Sequence, residues 1–170
     1  MEVGSGCWRA SFQRRALDRG RASNRGVLPM YPLPAGPDET RVLVPLPDGE
    51  ALWVAFSISL GVSVRGATAD GSPIRVAPVA EAHAGRVLLC ADAIETARGP
   101  SAIDSSLSPA AEAGALKGDH LVFTIARLGP VPDAKLGVVL ATTALYEALS
   151  GRLAPSPAGP GDVYGGWRLP

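Results

Sequence analysis

Two histidines, two cysteines and a few carboxylates are the residues of this chain that most often do chemistry. His83 lies in a small-residue loop at 81–85, and His120 follows Asp119 at the start of an apolar run. A nucleophile needs a base within hydrogen-bonding distance, and no spacing here requires such a pair. Two histidines in unrelated loops also lack the third ligand of a metal site. We therefore expect no catalytic residue, no metal site and no cofactor, and we lean towards a protein that is not an enzyme.

Other chemical signatures are equally weak. Cys7 and Cys90 form neither a C-x-x-C pair nor a disulfide framework. The chain has no glycine-rich phosphate-binding motif. Asp92 and Glu95 lie three residues apart, which is a common arrangement on any surface.

The remaining chemical alternative is a small ligand-binding protein or enzyme. Its pocket would lie between the predicted sheet and a loop over residues 100–118, where serine, alanine, glycine and proline are frequent. The polar groups that would line this pocket are His83, Asp119 and His120. The alternative requires at least two of these three side chains to lie together.

A strict two-residue rhythm over residues 52–64 is the strongest structural signal. Successive side chains of a strand point to opposite faces, so the even positions predict one continuous apolar face. They are Leu52, Val54, Phe56, Ile58, Leu60, Val62 and Val64. Thirteen residues are long for one strand, and Gly61 offers a bend, so we expect two strands that keep this parity through the corner.

Short strands and Asp-Gly turns follow one another along most of the chain. Turns are predicted at 47–50 and 69–72, each joining strands of a hairpin, and a short helical turn at 91–99. These patterns predict a mainly β fold, an antiparallel β-sandwich or partly open barrel with one C-terminal α-helix. The alternative is an α+β fold with the helix on one face of an antiparallel sheet.

The two ends of the chain differ in composition from its middle. Residues 1–26 hold six arginines against two acidic residues, and the strand pattern begins only after Met30. We predict a disordered basic leader over 1–29, which would be dispensable if Met30 were the natural start. A β-rich domain over 30–152 follows, and then an extended tail over 153–170 that is rich in proline and glycine.

A helix is predicted over 133–150, with Asp133 as its N-cap and Gly151 after its end. It carries no charge between Lys135 and Glu147, and its apolar residues surround it on most sides. A domain of this size has few places to bury such a helix, so either its own sheet wraps it or another chain covers its outer face, and we favour the second.

This helix and the aromatic tail predict a non-catalytic module for protein interaction or structural assembly. It would associate with itself or dock on a protein partner. The interface residues that we predict are Val138, Val139, Leu145, Tyr146, Leu149, Tyr164 and Trp167.

Other partners are not expected. The basic leader has only Trp8 and Phe12 for stacking on bases, so we do not expect nucleic-acid binding. No run of about 18 apolar residues exists, so no segment should span a membrane. The Arg14-Arg15 pair is not followed by the apolar segment of an export signal, and we expect a soluble, cytoplasmic protein.

Overall fold

The computed structural model describes residues 2–16, 24–47, 50–83, 85–95 and 120–156 of the 170-residue chain. Twelve strands and one helix lie in this part of the chain. In order they are β1 (Val3–Ser5), β2 (Trp8–Ala16), β3 (Asn24–Val27), β4 (Tyr31–Leu33), β5 (Glu39–Pro45), β6 (Glu50–Ser59), β7 (Val62–Thr68), β8 (Pro73–Ile74), β9 (Val76–His83), β10 (Arg86–Glu95), β11 (Leu121–Arg127), β12 (Ala134–Ala141) and α1 (Thr143–Ser150).

The strands form two sheets that pack face to face. In the first sheet the order is β1-β2-β6-β10-β9, and β3 also pairs with β2. In the second sheet the order is β4-β5-β12-β11-β7-β8. Neither sheet closes on itself among the described strands, so the architecture is a β-sandwich with one helix near the C-terminus. The predicted mainly β fold is confirmed.

The core between the sheets follows the predicted parity. Leu52, Val54, Phe56 and Ile58 of β6 are buried in one hydrophobic cluster with the inward side chains of the second sheet. The rings of Phe56 and Phe123 meet edge to face with their centroids 5.0 Å apart, so an aromatic contact joins the two sheets.

Gly61 forms the corner that takes the chain from the first sheet to the second. Its φ is +81°, a conformation that side chains rarely adopt, and it separates β6 from β7. The predicted division of residues 52–64 into two strands is therefore confirmed. Leu60 departs from the predicted parity, since it lies in the turn and is exposed.

The N-terminal residues are not a disordered leader over the part that the structure describes. Trp8, Ala10 and Phe12 of β2 are buried in the core, and β2 pairs with β6 along its whole length. The predicted leader is wrong here because the alternation of Trp8, Ala10 and Phe12 with polar residues, which indicates a half-buried strand, covers only five residues. The excess of arginine over residues 1–26 dominates the composition of this segment and led to the prediction of a leader.

The predicted helix over 133–150 is wrong in its first half, which is the strand β12. Leu136 and Val138 face the core between the sheets, while Val139 faces the other side of the second sheet and is buried there too. A strand buried on both faces reads as a continuous apolar run, which periodicity does not distinguish from a buried helix.

The helix α1 begins and ends with recognisable caps. Its N-cap is Thr142 rather than Asp133, and the Thr142 hydroxyl accepts a hydrogen bond from the Leu145 N–H at 3.2 Å. Gly151 ends the helix in the left-handed conformation, as predicted, and donates to the Glu147 carbonyl. Leu145 and Tyr146 pack on the outer face of the second sheet in a separate hydrophobic cluster.

Three local predictions also need correction. The strands on either side of the turn at 47–50 lie in different sheets and do not form a hairpin. Residues 91–95 continue β10 instead of forming a helical turn. The pairing is not all antiparallel, because β5 and β12 run parallel, which is possible because they lie far apart in the chain.

The hairpin at 69–72, by contrast, is confirmed by the pairing of β7 with β8. The Asp70 carboxylate accepts hydrogen bonds from the Thr68 hydroxyl and the Ser72 N–H, and these bonds hold the pKa of Asp70 below its usual value.

Candidate functional site

His120 has a structural partner in the described part of the fold. Its side-chain Nδ1 accepts a hydrogen bond from the Leu140 N–H at 2.9 Å, and its backbone N–H donates to the Val138 carbonyl at 2.9 Å. The β11 strand starts at Leu121, so its backbone does not reach Leu140. The imidazole extends the hydrogen-bond ladder of β12 by one bond.

The described structure does not test whether the predicted ligand-binding residues lie together. His83 is the last residue of β9, and its side chain is outside the described part of the molecule. Asp119 and the loop 100–118 are outside it as well. The pocket therefore stays a prediction.

Most of the predicted interface residues are buried in their own chain. Val138 lies in the core between the sheets, and Val139, Leu145 and Tyr146 lie between the second sheet and α1. Leu149 is half-buried against the same outer cluster. Tyr164 and Trp167 belong to a part of the tail that the structure does not describe.

The sequence prediction needed a second chain over the apolar residues of 133–150. Their burial by the second sheet and α1 removes that requirement.

The sheet edges offer little to a partner that would add a strand. Pro32 interrupts β4, Pro73 begins β8, and Pro78 lies within β9. The opposite edge of the first sheet is shared by β1 and β3, which have three and four residues. Proline and short edge strands both hinder edge-to-edge pairing, so a surface away from these edges is the better candidate for contact with a partner.

Exposed leucines mark such a surface at one end of the sandwich. Leu60, in the turn between β6 and β7, exposes 67% of its surface, and Leu128, just after β11, exposes 84%. Val131, in the same turn as Leu128, is 45% exposed. We call these three residues the tip.

Backbone contacts hold the two leucines of the tip close together. Leu128 donates its N–H to the Gly61 carbonyl at 3.3 Å, and Leu60 donates to the Gly85 carbonyl at 3.2 Å. The Leu128 Cδ1 atom lies 2.9 Å from the position that a Cβ on Gly61 would take. Leu60 and Leu128 therefore flank the same glycine, and three turns of the sandwich support them.

Charges of both signs border the tip. Arg127 donates from Nη2 to the Pro132 carbonyl at 2.9 Å across the β11–β12 turn. Asp133 and Lys135 are exposed on the other arm of that turn. The border is thus polar and carries two basic groups and one carboxylate, and a polar border of this kind resembles the rim of a protein–protein interface.

Two further features of the described residues concern metal binding and membrane-spanning helices. No three His, Cys, Asp or Glu side chains among them are grouped so that they could hold a metal ion. None of the helices in the described ranges is long and apolar enough to cross a membrane. Cys7 and Cys90 are both half-buried, and neither forms a disulfide bond.

Comparisons with known proteins add no functional information. No protein family, curated protein or solved structure matches this chain. The class of protein, a β-sandwich with a helix on one outer face and an apolar tip, therefore rests on its own geometry.

Sequence reasoning missed the tip, although a signal was present. Leu60 and Leu128 are each followed by a glycine, and both glycines have positive φ, +81° at Gly61 and +110° at Gly129. A leucine next to a turn glycine is placed at the bend rather than on a face. Strand parity alone assigned Leu60 to the core.

Proposed function

We propose that this chain is a non-catalytic interaction module that binds a partner protein through the tip. The observation that supports this function is the side-by-side exposure of Leu60 and Leu128, at 67% and 84%. Single exposed apolar residues are ordinary on a surface, whereas a supported pair on adjacent turns carries more information.

The size and shape of the tip favour a different protein over a second copy of this chain. Three side chains form a patch of at most a few hundred Å², whereas a stable symmetric interface needs about 800 Å² from each partner. The leucines project from turns, so they fit a partner that supplies a concave apolar pocket. In such interfaces a few anchor residues carry most of the binding energy.

The charges at the border favour a protein over a lipid surface. A membrane-binding loop gains affinity from basic residues that attract anionic headgroups. Here the exposed carboxylate of Asp133 lies two residues from Val131, and its repulsion of those headgroups would offset part of the attraction by Arg127 and Lys135.

Photo-crosslinking from the tip tests this function. A photoreactive amino acid replaces Leu128 in the full chain, and the crosslinked products in cells that express it are identified by mass spectrometry. We expect one discrete protein other than the chain itself. Its crosslink should disappear when Leu60→Ser is added and persist when Leu153→Ser is added, since Leu153 is 88% exposed but lies after α1.

The same experiment can refute the proposal. Crosslinks to the chain alone would indicate self-association, which light scattering would confirm as a dimer or larger species. Crosslinks to lipid, or products that do not respond to Leu60→Ser, would also contradict a protein pocket around the tip.

A further inference from the structure

The opposite end of β6 contains a buried ion pair. Arg14 Nη1 lies 3.5 Å from Glu50 Oε2, and the two side chains are only 9% and 3% exposed. The same Nη1 donates to the Ser156 carbonyl at 2.7 Å. The shorter of these two contacts is therefore the one with the C-terminal segment. We call the Arg14–Glu50 pair the clasp.

The segment held by the clasp crosses from one sheet to the other. Residues 151–156, which we call the strap, leave α1 on the outer face of the second sheet and reach β2 of the first sheet at Ser156. Midway, the Ala154 N–H donates to Glu147 Oε1 at 2.9 Å. A charged side chain thus binds the strap backbone at each of two points.

Apolar packing contributes little to holding the strap. Its first three residues and Ser156 are exposed, Pro155 is half-buried, and Ala154 packs against the outer cluster. Segments with few buried apolar contacts open at a much lower free energy than the core does. Close to α1 the Arg152 N–H donates to Ser150 Oγ at 3.1 Å, and farther along the strap its described contacts include the two charge-assisted hydrogen bonds, which are stronger than neutral ones.

Buried ion pairs are a poor source of global stability. Removing two charges from water is costly, and an apolar pair of similar volume often stabilises a fold equally well or better. Apolar side chains could therefore fill this position between β2 and β6. A guanidinium that donates to a passing carbonyl is the feature that they could not supply.

We infer that the clasp anchors the C-terminal strap to the first sheet, and that the strap can detach while the sandwich stays folded. Glu50 balances the charge that Arg14 needs inside the protein, and Arg14 holds the strap at Ser156. The hydrogen bond between Glu147 and Ala154 is a second, weaker attachment of the strap nearer to α1. Ser156 therefore stays at β2 only while Arg14 is bonded to its carbonyl.

Hydrogen exchange of the full chain tests this inference. In the double variant Arg14→Met/Glu50→Leu we expect amide exchange over 152–156 to rise at least about tenfold. The Tm should stay within about 5 °C of the unaltered chain, and exchange in β6 and β11 should not change. The matched control is Arg9→Ala, which removes the exposed ion pair with Glu2 and should leave the strap unaffected.

A second variant separates strap fastening from effects on the core. Glu147→Ala removes the acceptor for the Ala154 N–H on the exposed side of α1 and should speed amide exchange in the strap. Glu147→Gln keeps an acceptor and should therefore keep most of the protection from exchange. The inference is overturned if the double variant exchanges its strap at the original rate. It is also overturned if that variant loses its cooperative melting transition, because the clasp would then hold the fold.

Discussion

The two ends of β6 distribute polar and apolar groups in opposite ways. Glu50 begins the strand, and its carboxylate is buried beside the Arg14 guanidinium. Leu60 follows the last residue of the strand and is largely exposed, as is Leu128 beside it. Between these ends the strand obeys the ordinary rule, with Leu52 to Ile58 alternating into the core.

The middle of β6 has the residues that a fold requires, whereas its two ends have residues that a fold does not require. A core needs apolar side chains inside, and the middle of β6 provides them. Buried charges are unfavourable for a lone domain, and two exposed leucines on adjacent turns are more than the isolated apolar residue of an ordinary surface. We therefore propose a role beyond folding for each end, partner binding for the tip and attachment of the strap for the clasp.

Removal of residues 1–29 should have the largest effect, because it eliminates β2 and with it the clasp end. All nine residues of β2 pair with β6, and Trp8 and Phe12 belong to the core. We expect the shortened chain to lack a cooperative unfolding transition in urea, followed by circular dichroism. Removal of residues 1–6, which contain only the short strand β1, should leave that transition in place.

A fragment that starts at Met30 and melts like the full chain would contradict this account of the N-terminal strands. Because such a fragment lacks Arg14, its folding would also show that the domain folds without the clasp.

A substitution of His120 tests the clasp end, where Leu140 of β12 has no backbone partner in β11. His120→Ala should cost about 1–3 kcal/mol in the free energy of unfolding, because it removes the acceptor of the buried Leu140 N–H. His120→Asn should cost less, because its Oδ1 can accept the same bond. Equal losses for the two variants in urea denaturation would show that the ladder bond is unimportant.

A substitution of Gly61 tests the tip end and should change the free energy of unfolding by less. Gly61→Ala and Gly71→Ala both put a side chain on a glycine with φ above +80°, and each should cost about 1 kcal/mol. Only at Gly61 would the new Cβ meet a neighbour, the Leu128 Cδ1 atom at 2.9 Å. The methyl NMR signals of Leu128 should therefore shift in Gly61→Ala and stay unchanged in Gly71→Ala.

Identical Leu128 spectra for the two alanine variants would mean that the side chain does not rest on Gly61. The two leucines of the tip would then not act as one supported surface.

The sequence predicts those elements best that have one buried face. The alternation of β6 and the glycine at its end predict the strand, its core face and the corner. By contrast, β12 is buried on both faces, so its pattern does not distinguish strand from helix, and the predicted interface at Val138 and Val139 was derived from that error.

The candidate sites were harder to predict because they depend on distant contacts. Arg14 is 36 residues from Glu50 and 142 residues from Ser156 along the chain, and only the fold brings the three together. Leu60 and Leu128 likewise meet at Gly61 through the pairing of β7 with β11. Local patterns carry no information about such pairings.

The affinity of the crosslinked partner for the purified chain tests the role of the tip most directly. Titration calorimetry with Leu60→Ser/Leu128→Ser should show a Kd at least about tenfold weaker than that of the unaltered chain. The free energy of unfolding of this variant should stay within about 0.5 kcal/mol for each change, since both side chains are exposed. An unchanged Kd, or a variant that no longer folds, would contradict the account of the tip as a docking surface.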